Sequence, residues 1–399
     1  MKTITKPLSD SLLTYPVELL GNKEDLLFVD IETTGFAARS SQLYLIGCVS
    51  FEDGHWTITQ FFAQSPNQEK ELLLAFFHFC RGKKTLLHYN GNNFDLPYLK
   101  QKYHSHGMEV PFRDMDGIDL YKRVMPYKQL LGVENLKQKT MEQFLSITRT
   151  DTYDGGQLIN IYRDYVSQNA LYEKQVMLQN ASEETDATHE AALQKTLQSV
   201  KALEKILLLH NADDMTGMFR LLPLLAYSDL LLQPSKLTKI SAKKVTTPTG
   251  EVRQSLLIRL RVSSPLPKDL QVNKKGARLS VEKNEALLEI PLLSGELKYF
   301  YSNYKDYYYL PAEDTAMHKS VATFVSPEHR TQATAATCYT RKEGTYLPQW
   351  DLLFEPVFRT SLDDPTLYFE LTDELKHSPE QLYEYALHIL DFMMHERKR

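Results

Sequence analysis

Two acidic residues end an apolar stretch near the start of the chain, in the segment FVDIETTG at residues 28–35. Residues 26–29 are apolar and predict a central strand that is buried on both faces. Because side chains alternate along a strand, Asp30 and Glu32 point to the same side. Two carboxylates so close repel each other unless a cation or a proton lies between them. The pair therefore indicates either a cation site or a strand that simply ends in the polar turn at residues 33–35.

A further acidic residue of interest lies in LHYNGNNFDLPYL, residues 87–99. The pattern predicts a strand ending at Tyr89, a polar turn, and a helix with Asp95 in its first turn. Ligands of open α/β sheets bind at the carboxyl ends of the strands, so Asp95 is expected to face outward at such an edge. The alternative is that Asn93 or Asp95 only caps the helix.

A third group of polar residues lies in HNADDMTGMFRL, residues 210–221, within a predicted long helix. With 3.6 residues per turn, one stripe of this helix contains Leu207, His210, Asn211, Asp214, Met218 and Leu221. A carboxylate on such an apolar stripe needs a partner, whereas Asp213 is expected at the surface or in a cap. His210 precedes Asp214 by one turn, so both can serve one site; the alternative for His210 is a satisfied histidine on the helix face.

The segments FVDIETTG, YNGNNFD and HNADD, in this order, resemble the three exonuclease motifs of the DEDD nucleases. The resemblance is in particular to the YprB-like branch of the ribonuclease H-like exonucleases, and it covers about residues 24–232. Proofreading domains of family B polymerases have a second motif of the same YNG…FD type. The resemblance implies a ribonuclease H-like fold and the removal of nucleotides from 3′ ends with two divalent ions.

The resemblance also implies roles for individual residues. The implied metal ligands are Asp30, Glu32, Asp95 and Asp214, with Asp95 acting largely through water. Their hard oxygen atoms suit Mg²⁺ or Mn²⁺, and two such ions would activate a water and stabilise the leaving oxygen. The residues implied to contact the substrate strand are Thr33, Thr34, Gly35, Asn90 and Phe94.

One position departs from the family pattern. Histidine-type DEDD nucleases place their histidine five residues before the last aspartate, and tyrosine-type members place a tyrosine four residues before it. In this chain a histidine, His210, lies at the tyrosine-type spacing from Asp214. His210 could still orient or deprotonate the attacking water.

The 399 residues predict two domains, 1–234 and 235–399. The first is expected to be α/β, a ribonuclease H-like mixed sheet flanked by helices, with a polar connection at 180–192. Its predicted strands cover 26–29, 42–51, 56–62, 85–89 and 117–124, and its predicted helices cover 68–81, 94–103, 135–145, 156–166 and 193–232. The second is expected to be β-rich with a closing helix at 379–395, and its predicted strands cover 255–262, 286–291, 297–301, 307–310 and 320–325.

Composition narrows the class of protein. The net charge of −5 is unlike that of a general nucleic-acid binder, but residues 235–283 carry 12 basic and 3 acidic residues. An acidic site beside a basic stretch is compatible with a polyanionic substrate and also with an ordinary solvated surface. Three scattered cysteines form no metal or disulfide pattern, which suits the cytoplasm. The apolar segment 221–232 is too short for a membrane span, so no membrane partner is expected.

The sequence therefore predicts a cytoplasmic, metal-dependent 3′–5′ exonuclease that acts on single-stranded DNA or RNA. Two alternatives remain open: a catalytically inactive binding or scaffold protein, and a phosphodiesterase for short oligonucleotides. In the second half, seven aromatics at 298–310 indicate either base stacking or ordinary β-strand packing. Possible phosphate contacts there are His318, Lys319, Arg341 and Lys342.

Overall fold

The computed structural model describes residues 1–181, 187–233, 235–246 and 252–395. The chain divides into two compact units, Met1–Ser228 and Asp229–Arg399. Residue 234, the last of the predicted first domain, lies outside the described residues. The fold prediction is confirmed: a mixed sheet flanked by helices is followed by a β-rich region.

The first unit is built on a mixed sheet with the strand order β1–β4–β3–β2–β5–β6. Its strands are β1 (Lys2–Leu8), β2 (Leu26–Thr33), β3 (Leu43–Glu52), β4 (His55–Phe62), β5 (Thr85–His88) and β6 (Asp116–Asp119). Strands β2, β5 and β6 run parallel, whereas the pairs β1–β4, β4–β3 and β3–β2 are antiparallel. The residues of β2 up to Val29 are at most 1% exposed, as expected for a central strand.

Helices flank this sheet, and the first two of them connect its strands. In chain order they are α1 (Glu69–Phe79), α2 (Asp95–Ser105), α3 (Leu120–Val124), α4 (Lys128–Leu131), α5 (Gln138–Phe144), α6 (Gly155–Ala181), α7 (Ala187–Arg220) and α8 (Leu225–Leu232). The predicted strand at 117–124 is wrong beyond Asp119, because the Asp119 carboxylate accepts the amide of Lys122 and starts α3. The centre of the predicted connection at 180–192, residues 182–186, lies outside the described residues.

The second unit is dominated by antiparallel strands. These are β7 (Lys236–Thr246), β8 (Val252–Arg261), β9 (Leu270–Lys274), β10 (Ala277–Glu282), β11 (Glu285–Phe300), β12 (Tyr307–Leu310), β13 (Thr315–His318), β14 (Thr331–Gln332), β15 (Tyr339–Gln349) and β16 (Leu367–Glu370). Its helices are α9 (Lys319–Ala322), α10 (Asp373–Lys376) and α11 (Pro379–Met394). The predicted strand at 320–325 is wrong, because the strand ends at His318 and the His318 ring caps α9.

One helical run, Thr188–Leu232, is long and apolar enough to cross a membrane by length and composition alone. However, 78% of its most apolar window is buried inside the protein. Within the first unit, Met215, Met218 and Phe219 are each at most 1% exposed. The run therefore has the burial of a core helix, and its apolar residues pack against protein.

Candidate active site

Strand β2 directs its acidic residues toward helix α7. Asp30 accepts a hydrogen bond from the Asn211 side-chain amide at 2.9 Å. The Glu32 Oε1 atom lies 3.8 Å from His210 Nε2. Because Phe28, Asp30 and Glu32 alternate with residues of the opposite face, all three meet α7, where the Phe28 ring packs edge-on against Phe219.

Helix α7 adds two groups to this cluster. Ligand atoms of Glu32, His210 and Asp214 all lie within 4.8 Å of one another, a spacing that can hold one metal ion. His210 Nε2 is 3.1 Å from Asp214 Oδ2, one helical turn away. The side chains of Glu32, His210 and Asp214 are only 12%, 7% and 17% exposed, respectively. The third motif therefore meets the first in a largely buried site, and His210 is part of it.

Asp95 is the first residue of α2. Its side chain is buried, whereas the sequence predicts that it faces outward. It is 8% exposed, and its Oδ1 accepts the Ile31 amide at 3.3 Å, between the two acidic positions of β2. The N-cap of α2 is Phe94, and no side chain caps this end. Asp95 thus contacts the backbone of β2, which is not the geometry of a simple helix cap.

Burial makes three of these carboxylates costly to ionise. Burial, followed by the charges of Asp214, Asp95 and Glu32, raises the pKa of Asp30 well above its usual range. Burial also raises the pKa of Glu32 to about 8, although the His210 charge opposes it. The pKa of Asp95 is raised to about 7 by burial, against hydrogen bonds from backbone amides. A divalent cation would replace the protons that these groups otherwise retain.

Asp214 and His210 behave in the opposite way. Burial alone would raise the pKa of Asp214, but the hydrogen bond and charge of His210, followed by the charge of Arg149, hold it below the usual value. Burial alone would lower the pKa of His210, but its hydrogen bond to Asp214 and the surrounding carboxylates raise it to about 9. Without a metal ion, these two residues form an ion pair on one face of α7.

Two residues that the sequence motifs do not include contact the ion pair of His210 and Asp214. The Arg149 guanidinium bonds to Asp214 Oδ1, and its Nη1 lies 3.2 Å from Glu142 Oε2. Asp151 Oδ2 lies 2.6 Å from His210 Nδ1. An imidazole held in this way by a carboxylate has a fixed ring orientation and presents Nε2 to the site.

Asp213, expected at the surface or in a cap, anchors the segment that carries these two residues. Its Oδ2 accepts the backbone amides of Thr150 and Asp151, both at 2.7 Å. The first aspartate of HNADD, Asp213, is the sequence signal that could have pointed to this partner segment. The two neighbouring carboxylates thus point in different directions. Asp213 points to the segment at Thr150 and Asp151, and Asp214 points to the site.

Two buried side-chain amides, those of Gln60 and Asn211, hold Asp30 in position through consecutive hydrogen bonds. Gln60 on β4 donates to the Asn211 side-chain oxygen at 2.9 Å, and Asn211 in turn donates to Asp30. Gly47 lies opposite Asp30 in the sheet, and a Cβ at this position would fall 2.2 Å from Asn211 Oδ1. The close approach of Asn211 to the sheet therefore requires a glycine at position 47.

The turn before Asp95 is held by a second buried carboxylate. Asp119 accepts the amide of Asn90 at 2.9 Å and that of Asn92 at 3.4 Å. Asn90 has a φ of +61°, a left-handed conformation that asparagine tolerates better than most residues. The His88 ring accepts the Gly91 amide at 3.1 Å. These bonds define the path by which the chain delivers Asp95 to β2.

A cleft of about 610 Å³ opens beside the acidic cluster, within the size range of ligand-binding sites. It is lined by Asp30, Tyr89, Asn90, Asn93, Tyr121, Asn135, Leu136, Lys137, Gln138 and Asp214. The rings of Tyr89 and Tyr121 meet edge-on at 6.2 Å. The cleft therefore combines two acidic site residues, two aromatic rings and one cation.

Of the residues expected to contact substrate, Asn90 lines this cleft. The described lining does not include Thr33, Thr34, Gly35 or Phe94. The Thr33 hydroxyl donates to the Gly35 carbonyl at 2.9 Å, and the Thr34 hydroxyl accepts the Gln42 amide at 2.8 Å. The Phe94 ring lies edge-on to Phe36, which is 89% exposed. These residues form a separate polar and aromatic rim at the end of β2.

The family of the chain follows from a match to a model described as RNase_H superfamily. The match covers residues 27–226, half of the chain, and the chain therefore belongs to this superfamily. No curated protein matches the sequence. The fold comparison gives more distant similarities to solved structures.

Two of these structures are of Escherichia coli exonuclease I. The complex with a dT13 oligonucleotide is 10% identical with a TM-score of 0.27, and 59% of this chain and 54% of that chain are covered. The zinc-bound complex with single-stranded DNA is 13% identical with a TM-score of 0.26, and 32% and 36% are covered. A family B DNA polymerase from Pyrobaculum calidifontis is 13% identical with a TM-score of 0.30, and 70% and 35% are covered. The chain thus spans between about a third and just over half of these proteins.

Proposed function

We propose that this protein is a metal-dependent 3′–5′ exonuclease that acts on single-stranded nucleic acid and belongs to the YprB-like branch of the DEDD nucleases. Membership of the RNase_H superfamily supports a nuclease. The observation that carries the proposal is the grouping of Asp30, Glu32, Asp95 and Asp214 where β2 meets α2 and α7, with the pKa values of the first three raised. A protein without use for a cation has no evident reason to retain such repulsion.

The donor set fits two hard divalent ions such as Mg²⁺ or Mn²⁺. Glu32 and Asp214 lie close enough to share an ion, and the imidazole of His210 is within the same distance. Asp30 and Asp95 extend the acidic surface along β2. When bound, the ions would supply a nucleophilic water and neutralise charge on the leaving oxygen. The protein positions the ligands through Asn211, Arg149 and the turn held by Asp119.

His210 is the residue proposed to orient the attacking water, or to accept its proton once bound cations offset the carboxylate charges that raise the pKa of the ring to about 9. Asp151 fixes Nδ1 of the ring, so that Nε2 faces Glu32 and Asp214. A carboxylate partner of this kind stabilises the protonated imidazole that forms after proton transfer. The cleft beside the site would hold the terminal nucleotide, with Tyr89 and Tyr121 available for stacking.

The test is cleavage of 5′-labelled single-stranded DNA and RNA in the presence of Mn²⁺, Mg²⁺ or EDTA. The proposal predicts a metal-dependent ladder that shortens from the 3′ end, and its loss in Asp30→Asn. The matched control is Asp10→Asn, which changes an exposed aspartate outside the site and should cleave like the wild type.

The two alternatives give different results in this assay. A binding protein that has lost catalysis would retain the oligonucleotide without shortening it under any metal condition. A phosphodiesterase for short oligonucleotides would cleave dinucleotides and leave longer strands intact. The ratio of DNA to RNA cleavage reports the sugar preference, and a cytoplasmic location stays a prediction.

A further inference from the structure

A group of cations lies on the outward face of the paired strands β7 and β8 in the second unit. We term this group the basic face, and it consists of Lys236, Lys239, Lys243, Arg259 and Arg261. Alternation along β8 explains the arrangement, because Leu256, Ile258 and Leu260 are buried while Arg259 and Arg261 are exposed. The antiparallel register places Lys239 opposite Arg259 and Lys236 opposite Arg261.

These two cross-strand pairs have like charges, which destabilise a sheet when they lie directly opposite. Neighbouring acids compensate only part of this charge. Glu285 Oε1 lies 3.0 Å from Arg261 Nε, and Glu289 Oε1 lies 3.0 Å from Lys243 Nζ. In the described residues, no carboxylate forms an ion pair with Lys236, Lys239 or Arg259. An uncompensated cationic corner therefore faces solvent.

Protection of a sheet edge does not account for this corner. Edge strands often carry lysines that prevent pairing with other chains, and β7 has only β8 as its partner among the described strands. Arg259, however, lies on β8, which is paired with β7 on one side and β11 on the other. A cation on an inner strand, directly opposite Lys239, has no edge to protect.

We propose that the basic face binds the phosphate backbone of a nucleic-acid strand. Residues two apart on a strand lie roughly 7 Å apart on one face, so the cations form a row that an extended polyanion can follow. Neither strand contains an aromatic residue, so binding should depend on phosphates and should be independent of base sequence. A membrane surface also attracts basic segments, and the vesicle measurement distinguishes it from nucleic acid.

The choice of nucleic acid over other polyanions rests on the proposed function, but the binding itself can be tested without cleavage. The full-length protein is mixed with fluorescent single-stranded DNA or RNA in EDTA, and anisotropy is recorded over a range of salt concentrations. The test variant is Lys236→Gln/Lys239→Gln/Arg259→Gln. The control variant, Lys275→Gln/Lys305→Gln/Lys376→Gln, removes the same charge at exposed positions elsewhere in the second unit.

The proposal predicts that the test variant loses affinity by at least about tenfold at low salt. Three lost phosphate contacts should also reduce the slope of log K against log salt by about 2. The control variant should keep the wild-type affinity and slope. Equal binding by the wild type and the test variant, or equal losses in the two variants, would overturn the proposal.

Two further measurements distinguish nucleic-acid binding from membrane binding and from a folding defect of the variant. Co-sedimentation with phosphatidylserine and phosphatidylcholine vesicles tests a membrane surface, and a loss of vesicle binding with unchanged nucleic-acid binding would overturn the proposal. Thermal melting tests folding, and the test variant should melt no lower than the wild type because it removes like-charge pairs. Failure of the proposed nuclease would appear in the cleavage assay of the wild type, whereas failure of the basic face would appear only in the binding of the test variant.

Discussion

Replacement of Glu32 by glutamine should stabilise the metal-free protein while removing a ligand for the metal. Burial raises the pKa of Glu32 to about 8 from an ordinary value of 4.5. Each unit of such a difference corresponds to about 1.4 kcal/mol, so the cost above pH 8 is at most about 5 kcal/mol. The buried amide of glutamine also loses hydrogen bonds to water, which offsets part of this gain, and we therefore expect a net gain of about 1 to 2 kcal/mol.

The stability difference between Glu32→Gln and the wild type should depend on pH in a defined direction. Below pH 4.5 the Glu32 carboxyl is protonated in the folded and unfolded chains, so Glu32→Gln and wild type should have similar stability. As the pH rises, the unfolded chain ionises while the folded chain resists, and the wild type loses stability that the variant keeps. The difference should be largest above about pH 8, where the folded carboxyl is also ionised.

The assay is thermal unfolding in EDTA at several pH values. A gain of about 1 to 2 kcal/mol corresponds to a melting temperature higher by roughly 3 to 6 °C for a domain of this size. Glu24→Gln, at an exposed position, is the matched control and should show no such trend. A lower melting temperature for Glu32→Gln above pH 8, or a difference that does not change with pH, would refute the electrostatic reasoning.

Three further predictions test other parts of the site. Asp151→Asn should lower kcat about 10- to 100-fold with little change in KM, because His210 loses its orienting carboxylate. Steady-state cleavage kinetics measure both constants, and an unchanged kcat would contradict the prediction. Gly47→Ala should lower the free energy of unfolding by about 1 to 3 kcal/mol, because the new Cβ would collide with Asn211. The control is Gly117→Ala, because nothing lies within 4 Å of a Cβ at that position. Chemical denaturation compares the free energies of unfolding of the two variants. The affinity for Mn²⁺ should increase as the pH rises through about 7 and 8, where Asp95 and Glu32 lose their protons, and calorimetric titration showing no pH dependence would contradict this.

The positions of Asp30, Glu32 and Asp214 could be anticipated because simple periodicity governs them. Alternation along β2 places both strand acids on one side, and the 3.6-residue repeat places His210, Asn211 and Asp214 on the facing stripe of α7. Elements with strong periodicity of this kind are the ones that a single sequence predicts well. That these surfaces meet is implied by the resemblance of the three motifs to those of the DEDD nucleases.

The remaining parts of the site depend on contacts that no local pattern shows. Arg149 and Asp151 lie between α5 and α6, in an irregular segment whose position is set by hydrogen bonds to Asp213 on another element. Asp95 is buried against β2 because the preceding turn is held by Asp119, more than 20 residues further along the chain. Asp119 also ends β6 and starts α3, which a window of apolar residues at 117–124 could not reveal.

The most direct test of the central claim is anomalous diffraction from crystals soaked in Mn²⁺, with wild type and Asp30→Asn compared under the same conditions. The account predicts two manganese peaks in the wild type, bound among Asp30, Glu32, Asp95 and Asp214. At least one peak should be lost in Asp30→Asn. Absence of manganese from these carboxylates, at a concentration that supports cleavage in solution, would contradict the assignment of this cluster as the nuclease site.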